Sequence, residues 1–480
     1  MKKMKRGVCL ALSVLFCMSM AACNAKQTEK DGDNVTLTWF VPLSNEADSA
    51  SVMSEVSAIT KEKIGASLEV QFIDASAYGE RMTMNMASGN SFDLCFTGYV
   101  NPYISAVDNG GYLALDDLMK ENAPKLLEVI PDYAWEIARV NGQIYAVPNL
   151  QGFAPPNSLY FYDDLTSKYN FDTSKIQTVE DVEPFLKSLK ENEPSLIPYR
   201  YSYGAAMWLG GKYEEVTSGL VIRCDGSSPE LELIYDTPEY KRAIEKQHEW
   251  FTKGYIRSDL ISVGSDTQDL NAGKYGVNQS GWLPGAEETA KQSTGRDVTI
   301  VPVMKPYLAK DKGLAAMTAV GLKSKHPDKA IRLLELVNTD KEVYNLLAFG
   351  IRDKHYKMNE DNKISIIEGS GYTHNSAWIF GNQFNALLTE GQDDSVWEET
   401  DKLNREAVKS PILGFVLDTK PIKSEISQVA AVRAEFTEKS IVVDGFAKRE
   451  EMMNKLKAAG IDKVKEEVQR QINEYWSQNH

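Results

Sequence analysis

The chain has 480 residues, of which 42% are hydrophobic, and carries a net charge of −15 at pH 7. A chain of this length holds more than one hydrophobic core, so we expect two domains or lobes. Its acidity argues against nucleic acid as a partner, because phosphate binding needs clustered Lys and Arg. The five His are scattered and no Cys/His pair has zinc spacing, so we expect no metal site and no cofactor.

The chain begins with a segment that resembles the signal peptide of bacterial lipoproteins. Four of the first six residues are basic, and residues 7–20 are apolar apart from two serines. This run is shorter than the roughly 20 apolar residues of a membrane-spanning helix. Ala21 and Ala22 precede Cys23, as in a lipobox. We therefore predict that residues 1–22 are removed and that Cys23 carries a diacylglycerol anchor. An uncleaved signal anchor and plain secretion are the alternatives.

The residues around this processing site have two further consequences. Removing residues 1–22 takes away four basic residues and no acid, so the net charge of −15 becomes −19. Residues 23–34 are polar and are predicted to form a flexible tether that reaches at most about 36 Å.

Cys95 and Cys224 lie beside strand-like runs; they are buried as small hydrophobic residues or form one disulfide.

Alternating strands and helices are predicted for the first part of the fold. The runs VTLTWFVP, SLEVQFID and SFDLCFTG have the character of strands, and helical stretches separate them. This order is typical of a parallel sheet in an α/β lobe. Residues 116–130 are predicted to be helical, with Pro124 as a kink or a break.

The later part of the chain continues the α/β pattern. Helices are predicted in DVEPFLKSLK and TPEYKRAIEKQHEWFTKG, and strands in DVTIVPVMKP and LAAMTAVGL. Residues 326–350 are predicted to form one long helix, with Pro327 in its first turn and Gly350 after its end. At the C-terminus, Val464, Val468 and Ile472 form an apolar helical stripe that should be docked on the protein.

Motifs of the common enzyme classes are missing. The sequence has no GxSxG, no nucleotide-binding glycine pattern and no HExxH. Acidic residues are numerous, but nothing selects a glycosidase pair among them. We therefore expect a protein that binds something rather than transforms it.

The segment YAVPNLQGFAPPNSLYFYDDL resembles family 1 of the bacterial extracellular solute-binding proteins, the sugar-binding lipoproteins of ABC importers. GYIRSDL, NAGKYGVNQSGW and SKHPDKAIRLLELV match further features of that family in the same order. The segments FGIRDKHYKM, WIFGNQF, SPILGFVLD, KLKAAGID and EEVQRQINEYW resemble the C-terminal domain of a subgroup, the LipO-type lipoproteins. The resemblance covers nearly all of the chain after the tether.

This resemblance implies a periplasmic-binding-protein-like fold of type II, with two hinge-linked α/β lobes and a ligand cleft between them. The implied division puts residues 35–148 and 303–350 in lobe 1, and residues 149–302 and 351–480 in lobe 2. The chain is expected to cross between the lobes at residues 147–149, 302–305 and 349–356.

A sugar site needs flat aromatic platforms together with amides or carboxylates at strand ends. Trp282 follows a strand-like run and matches the family's cleft tryptophan; a cap on the hinge is its alternative role. For Trp208 and Trp378, core packing is the alternative to ligand contact. The remaining candidates are polar or aromatic residues after strands, on the crossing or beside Trp378: Asn45, Tyr99, Asn101, Asn149 and Asn382.

These observations predict a lipid-anchored binding protein that captures an oligosaccharide and delivers it to the permease subunits of an ABC importer. We expect a monomer on the outer face of the cytoplasmic membrane, which contacts the membrane only through its anchor. Three alternatives remain: the same fold binding a peptide or other polar solute, a surface enzyme that degrades carbohydrates, and a structural or sensory lipoprotein.

Overall fold

A computed structural model of the protein describes residues 35–374 and 376–479. The predicted signal peptide, the anchor at Cys23 and the tether lie outside these residues. Within them, no helix is both long and apolar enough to cross a membrane.

The β-strands of the described residues form one sheet of five strands, one of four strands and several smaller sheets. Strands β1–β9 are Val35–Val41, Ala66–Phe72, Leu94–Gly98, Arg139–Val140, Gln143–Ile144, Ala146–Pro148, Asn157–Tyr162, Ile197–Tyr199 and Tyr213–Thr217. Strands β10–β18 are Leu220–Arg223, Glu232–Leu233, Tyr275–Gly281, Val298–Pro302, Tyr307–Leu308, Ala316–Val320, Tyr356–Met358, Ile364–Ile366 and Val408–Lys409.

The α-helices connect and cover these strands. Helices α1–α10 are Ser49–Ile64, Ala75–Ser88, Tyr103–Asp108, Asp116–Asn122, Pro124–Val129, Asp132–Ala138, Asp163–Lys168, Glu183–Asn192, Ala205–Trp208 and Pro238–Thr252. Helices α11–α19 are Thr267–Asn271, Ala286–Thr294, Pro327–Thr339, Lys341–Phe349, Val396–Glu406, Lys423–Glu435, Glu438–Asp444, Phe446–Ala458 and Ile461–Asn479.

Two predicted helical stretches each form two helices in the structure; for residues 116–130 this confirms the predicted break, whereas for residues 326–350 it corrects the prediction of one long helix. The stretch 116–130 is broken at Pro124, which begins α5 and lacks the N–H that a continuous helix would use. The stretch 326–350 forms α13 and α14 rather than one helix. The side chain of Asp340 accepts hydrogen bonds from Glu342 N and Val343 N, at 3.0 and 3.1 Å, and so starts a new helix there.

The first sheet has the order β2-β1-β3-β15-β6. Its strands β2, β1 and β3 run parallel, whereas β15 is antiparallel to both β3 and β6. Leu37, Trp39 and Val41 alternate along β1 and are 0% exposed, so they anchor the sheet in the first of two hydrophobic cores. We call the part built on this core lobe 1.

The second sheet has the order β13-β7-β12-β8 and lies in a separate core, which defines lobe 2. Strand β12 is antiparallel to β7 and parallel to β8. In α19, Val464, Val468 and Ile472 are 0% exposed within this core, which confirms the predicted docking of the C-terminal helix.

The chain passes between the cores three times. Buried residues belong to the first core up to Ala154, and Leu159 begins the second core. The first crossing therefore lies after Ala154, not at the predicted residues 147–149, and residues 149–154 belong to lobe 1 instead of lobe 2. The chain returns between Ile300 and Leu308, a range that includes the predicted residues 302–305. The last crossing lies near residue 410, not at residues 349–356, so the predicted third crossing is wrong.

The third crossing comes later than predicted because residues 351–407 fold back onto lobe 1. Tyr344 Oη donates to Ala377 O at 2.8 Å, and Asn345 Nδ2 donates to Asn385 O at 2.8 Å, so α14 holds the segment in place. Phe380 is buried in the first core, with its ring edge-on to Trp39. The predicted assignment of residues 351–480 to lobe 2 is therefore wrong for residues 351–407.

The two cysteines within the described residues, Cys95 and Cys224, are buried and free. Burial raises the pKa of the Cys95 thiol to about 12 and that of Cys224 to about 11. Both therefore behave as small hydrophobic residues with inert thiols, and the disulfide alternative is excluded.

Candidate functional site

One edge of the first sheet carries most of the predicted lobe 1 candidates. The parallel strands β1, β2 and β3 all end at this edge, and polar loops follow them. Strand β15 begins there, because Ala316 pairs with Gly98, and β6 ends there, because Pro148 pairs with Met317. Asn45, Tyr99 and Asn149, which follow β1, β3 and β6, therefore come to a common edge.

One edge of the second sheet faces this edge of the first sheet. Strand β7 starts at Asn157, opposite Gly281 at the end of β12, and Pro302 at the end of β13 pairs with Ser158. The first crossing leads from the edge of lobe 1 into β7, and the second leads back from β13 to β15. Because both crossings join these two edges, the space between the edges is the interlobe cleft.

An aromatic cluster stands at the lobe 1 edge. Tyr99 is 53% exposed, and its ring centroid lies 5.6 Å from that of Trp378 and 5.7 Å from that of Phe96. Trp378 is partly exposed and also contacts Phe96, with centroids 6.2 Å apart. Exposed rings supported by buried rings form a rigid platform for the apolar face of a ligand. The structure thus brings together two of the predicted residues.

Trp282 lies between the lobes. Its partly buried ring packs against both hydrophobic cores. Its backbone N–H donates to Pro156 O on the first crossing at 3.0 Å, and its Nε1 donates to Glu287 Oε1 at 3.0 Å. The contacts fit both roles predicted for Trp282, a cleft-lining aromatic and a cap on the hinge.

Sequence reasoning missed Tyr203, which is 42% exposed. It follows β8, which is parallel to β12, so it lies off the same edge of the sheet as Trp282. Gln279 Oε1 on β12 accepts hydrogen bonds from Ser202 N at 3.1 Å and from Tyr203 N at 2.7 Å, which holds this loop on the sheet. The signal was present in the sequence as RYSYG directly after a short strand.

Two of the predicted asparagines, Asn101 and Asn149, make hydrogen bonds inside the protein instead of pointing to solvent. Asn101 is 3% exposed and donates to Phe96 O at 3.2 Å and to Tyr112 Oη at 2.8 Å. Asn149 is 1% exposed and donates to the carbonyls of Trp378 and Ile379, at 3.2 and 2.7 Å. Asn149 thereby positions the Trp378 platform, whereas the sequence predicted direct ligand contact.

Asn382 and Trp208 are also drawn inward. Asn382 is 7% exposed, and its Oδ1 accepts from Phe384 N at 3.0 Å as the cap of a short helical turn. Trp208 packs on Trp250 with ring centroids 4.7 Å apart, which agrees with its core-packing alternative. Only Asn45 among the predicted asparagines is exposed.

Charged groups link the loop after β1 to the segment that carries Trp378. Glu46 Oε1 lies 3.1 Å from His374 Nδ1, and the ring of His374 stacks on Phe72 at the end of β2. Burial lowers the pKa of His374, which favours its neutral form. This part of the edge is therefore polar and holds His374 mainly in its neutral form, an environment that suits hydroxyl groups.

Two cavities in the described part of the chain contain none of the candidate site residues in their linings. One, of about 880 Å³, is lined by charged residues of lobe 2 such as Glu180, Lys187 and Lys253. The other, of about 380 Å³, lies on the side of lobe 1 near Arg81 and Asn90. Neither cavity coincides with the candidate site.

Comparison with known proteins agrees with this architecture. Residues 44–344 match the model of the family described as bacterial extracellular solute-binding protein. The chain belongs to the bacterial extracellular solute-binding proteins. Residues 411–477 match a second model, a domain of unknown function named DUF3502, and the LipO-type subgroup stays a prediction.

Two relatives among the solute-binding proteins are similar over nearly the whole chain. A carbohydrate ABC transporter substrate-binding protein of Streptococcus pneumoniae is 28% identical over an alignment of 493 positions, gaps included, that covers 99% of both chains. The crystal structure of an N-glycan transport solute binding protein, NgtS, of S. pneumoniae is 26% identical. It covers 93% of this chain and 100% of its own, with a TM-score of 0.83.

Complexes of the same NgtS protein superpose less closely. The TM-score is 0.75 for the complex with Man1GlcNAc and 0.72 for the complex with Man5GlcNAc. More distant solute-binding proteins share only the fold; one example, an ABC-transporter associated solute binding protein of Bifidobacterium longum infantis described as HMO binding, is 16% identical with a TM-score of 0.66.

Proposed function

We propose that the protein captures an oligosaccharide in the cleft between its lobes and delivers it to an ABC importer. The observation that carries this proposal is the exposed ring pair of Tyr99 and Trp378 on lobe 1, opposite the edge that bears Trp282 and Tyr203 on lobe 2. Flat rings match the C–H faces of sugars, and the surrounding polar groups match their hydroxyls.

Binding by two lobes also provides a signal for the importer. Contacts made by both lobes exist only when the cleft is closed, so a ligand shifts the population toward the closed form. Closure of the cleft would explain why this chain superposes less well on the glycan complexes of NgtS than on the NgtS structure described without a glycan.

The relatives supply the probes for a test. NgtS is described in complex with Man1GlcNAc and Man5GlcNAc, so these glycans are our first candidates for this chain. Titration calorimetry should show saturable binding of one glycan per protein chain, without turnover of the glycan. Peptides of similar length serve as the matched comparison.

Two results would overturn the proposal. If peptides raise the melting temperature and no glycan does, the cleft serves another solute. If the glycans are cleaved by the pure protein, the chain is an enzyme, contrary to our proposal that it only binds.

We further propose that Cys23 anchors the protein to the outer face of the cytoplasmic membrane. A captured solute must stay near its permease, and two acyl chains bind a membrane far more firmly than one, at about 0.8 kcal/mol per buried CH₂. The variant Cys23→Ala should appear in the medium or remain unprocessed. Mass spectrometry that finds no diacylglyceryl group on the wild-type cysteine would exclude the anchor.

A further inference from the structure

Strand β12 of lobe 2 and its neighbour β7 carry buried polar groups that lack partners. Asn278 is 1% exposed, and neither its Nδ2 nor its Oδ1 has a hydrogen-bond partner among the described residues. Ser280 Oγ also lacks a partner, and the hydroxyl of Tyr160, a residue that is 7% exposed, lies beside the side chains of Tyr162 and Thr294 without a well-formed hydrogen bond. A buried polar group without a partner costs stability, so several of them together require an explanation.

These groups share one face of the sheet. Asn278 pairs directly with Tyr160, and Ser280 pairs with Ser158, so their side chains lie on the same side. Side chains alternate along a strand, and Trp282 continues this series just beyond the end of β12. At about 3.3 Å per residue, the polar strip runs about 13 Å from Asn278 to Trp282. It therefore leads from the interior of lobe 2 to the cleft.

Helix α12 lies over this face. Glu287 in its first turn accepts the hydrogen bond from Trp282 Nε1, and Thr294 at its end lies beside the Tyr160 hydroxyl. Yet α12 contains no buried residue, although Ala286 and Ala290 touch the core. It is flanked by Gly285 and Gly295, whose φ angles of +81° and +70° few other residues adopt. A helix with such small apolar contacts is held weakly on its sheet.

The other side of α12 is attached to lobe 1. Gln292 Nε2 donates to the carbonyl of Glu390, which belongs to the segment 351–407. Gly285 and Gly391 are in close contact with the opposite lobe: a Cβ at Gly285 would meet Val396 at 3.1 Å, and a Cβ at Gly391 would meet Glu288 at 2.8 Å. Because α12 touches both lobes, a rotation of one lobe against the other would pull it along the face that it covers.

We infer that the strip formed by Asn278, Ser280 and Tyr160 is a second, covered subsite of the cleft. It binds the hydroxyl groups of the distal residues of a branched or extended oligosaccharide after α12 moves aside. This inference rests on the proposed function, since it extends the same cleft. Amides and hydroxyls that are both donors and acceptors are suited to sugar hydroxyls, and the strip begins at the tryptophan where the first sugar would lie.

The test compares a short and a long glycan on two variants. Asn278→Leu removes both unpartnered amide atoms at similar volume, and Tyr160→Phe removes only a hydroxyl. Each should weaken binding of Man5GlcNAc, Asn278→Leu by about tenfold, and leave binding of Man1GlcNAc unchanged. The melting temperature should stay constant or rise by about 1 °C or more, because an unpaired buried polar group is gone.

Gln247→Leu is the matched control. Gln247 is 0% exposed, and both of its amide atoms also lack partners within the described part of the chain, but it lies on α10. Its replacement should raise the melting temperature without changing the affinity for either glycan.

The possible results separate the two proposals. If the wild-type protein binds neither glycan, the proposed function fails. If the wild-type binds Man5GlcNAc and both variants bind it equally well, the strip is not a subsite and the groups serve only internal water. If Asn278→Leu weakens binding but also lowers the melting temperature, Tyr160→Phe decides: unchanged affinity of this milder variant overturns the inference.

Discussion

Asn149 in lobe 1 and Asn278 in lobe 2 are both 1% exposed, yet their side chains are used differently. Asn149 donates two hydrogen bonds to backbone carbonyls and thereby holds Trp378 at the cleft. Asn278 has no partner among the residues described by the structure. The difference indicates that the amide of Asn149 is used to hold the platform in place, whereas the amide of Asn278 stays free at a cost in stability. It also shows that a buried amide near a cleft is not by itself a ligand-binding group.

The largest expected effect is a loss of stability when Asn149, the amide with hydrogen-bond partners, is replaced. Asn149→Leu should lower the free energy of unfolding by about 2–3 kcal/mol, because it leaves the carbonyls of Trp378 and Ile379 unpaired. Asn278→Leu should lower it little or raise it. Urea denaturation of both variants measures the contrast, and equal losses at the two positions would contradict the comparison.

The next effect is on affinity, at the exposed platform. Tyr99→Ala removes a ring that is 53% exposed, so the fold should keep its stability while glycan affinity falls about tenfold. Ile261→Ala is the control, because Ile261 is also 53% exposed but is not part of the aromatic cluster. Calorimetric titration measures the glycan affinity of both variants. If Tyr99→Ala binds the glycan as tightly as the wild type, the aromatic cluster of lobe 1 is not the ligand platform.

A smaller effect is expected at Tyr203 in lobe 2. Its loop is held on β12 by the hydrogen bonds to Gln279, so Tyr203→Ala should remove the ring without moving the loop. We expect a loss of affinity of about threefold, which tests whether both lobes touch the ligand. Tyr203→Phe keeps the ring and should bind normally; equal losses in both variants would mean that the hydroxyl, not the ring, contacts the glycan.

The smallest effect concerns pH and the attachment of residues 351–407 to lobe 1. Lys354 and His355 hold the pKa of Asp48 below its ordinary value of 3.8, with contacts of 2.9 and 3.1 Å to its Oδ2. Because the folded pKa is lowered, this contribution to stability is present above about pH 4 and is lost as the pH falls through the folded value. The carboxylate is partly exposed to solvent, so the effect is modest.

Thermal unfolding of Asp48→Asn and of the wild type between pH 7 and pH 3 tests this point. The melting temperature of the variant should be lower by about 1–2 °C at neutral pH, and the difference should shrink toward the acid end. A difference that persists unchanged at pH 3 would show that the charge of Asp48 is not its cause.

Local patterns in the sequence predicted the parts of the fold that depend on local chemistry. The alternation in VTLTWFV predicted β1, and the ends of the parallel strands predicted that Tyr99 and Trp282 lie at sheet edges. The course of residues 351–407 could not be predicted in this way. It depends on contacts such as that of Asn345 with Asn385, between segments that show no long periodic pattern.

The roles of the asparagines depend on the same long-range contacts. Residue type and position after a strand made Asn149 a candidate ligand contact. Its actual partners, the carbonyls of Trp378 and Ile379, come from a segment about 230 residues away along the chain. Nothing near Asn149 in the sequence indicates that this segment would arrive and occupy the amide.

The most direct test of the central claim is a crystal structure of the protein with Man5GlcNAc. Our account predicts a sugar ring stacked on Tyr99 or Trp378, with the same glycan contacting Trp282 or Tyr203 of lobe 2. A glycan bound outside the cleft, or one that touches a single lobe only, would contradict it.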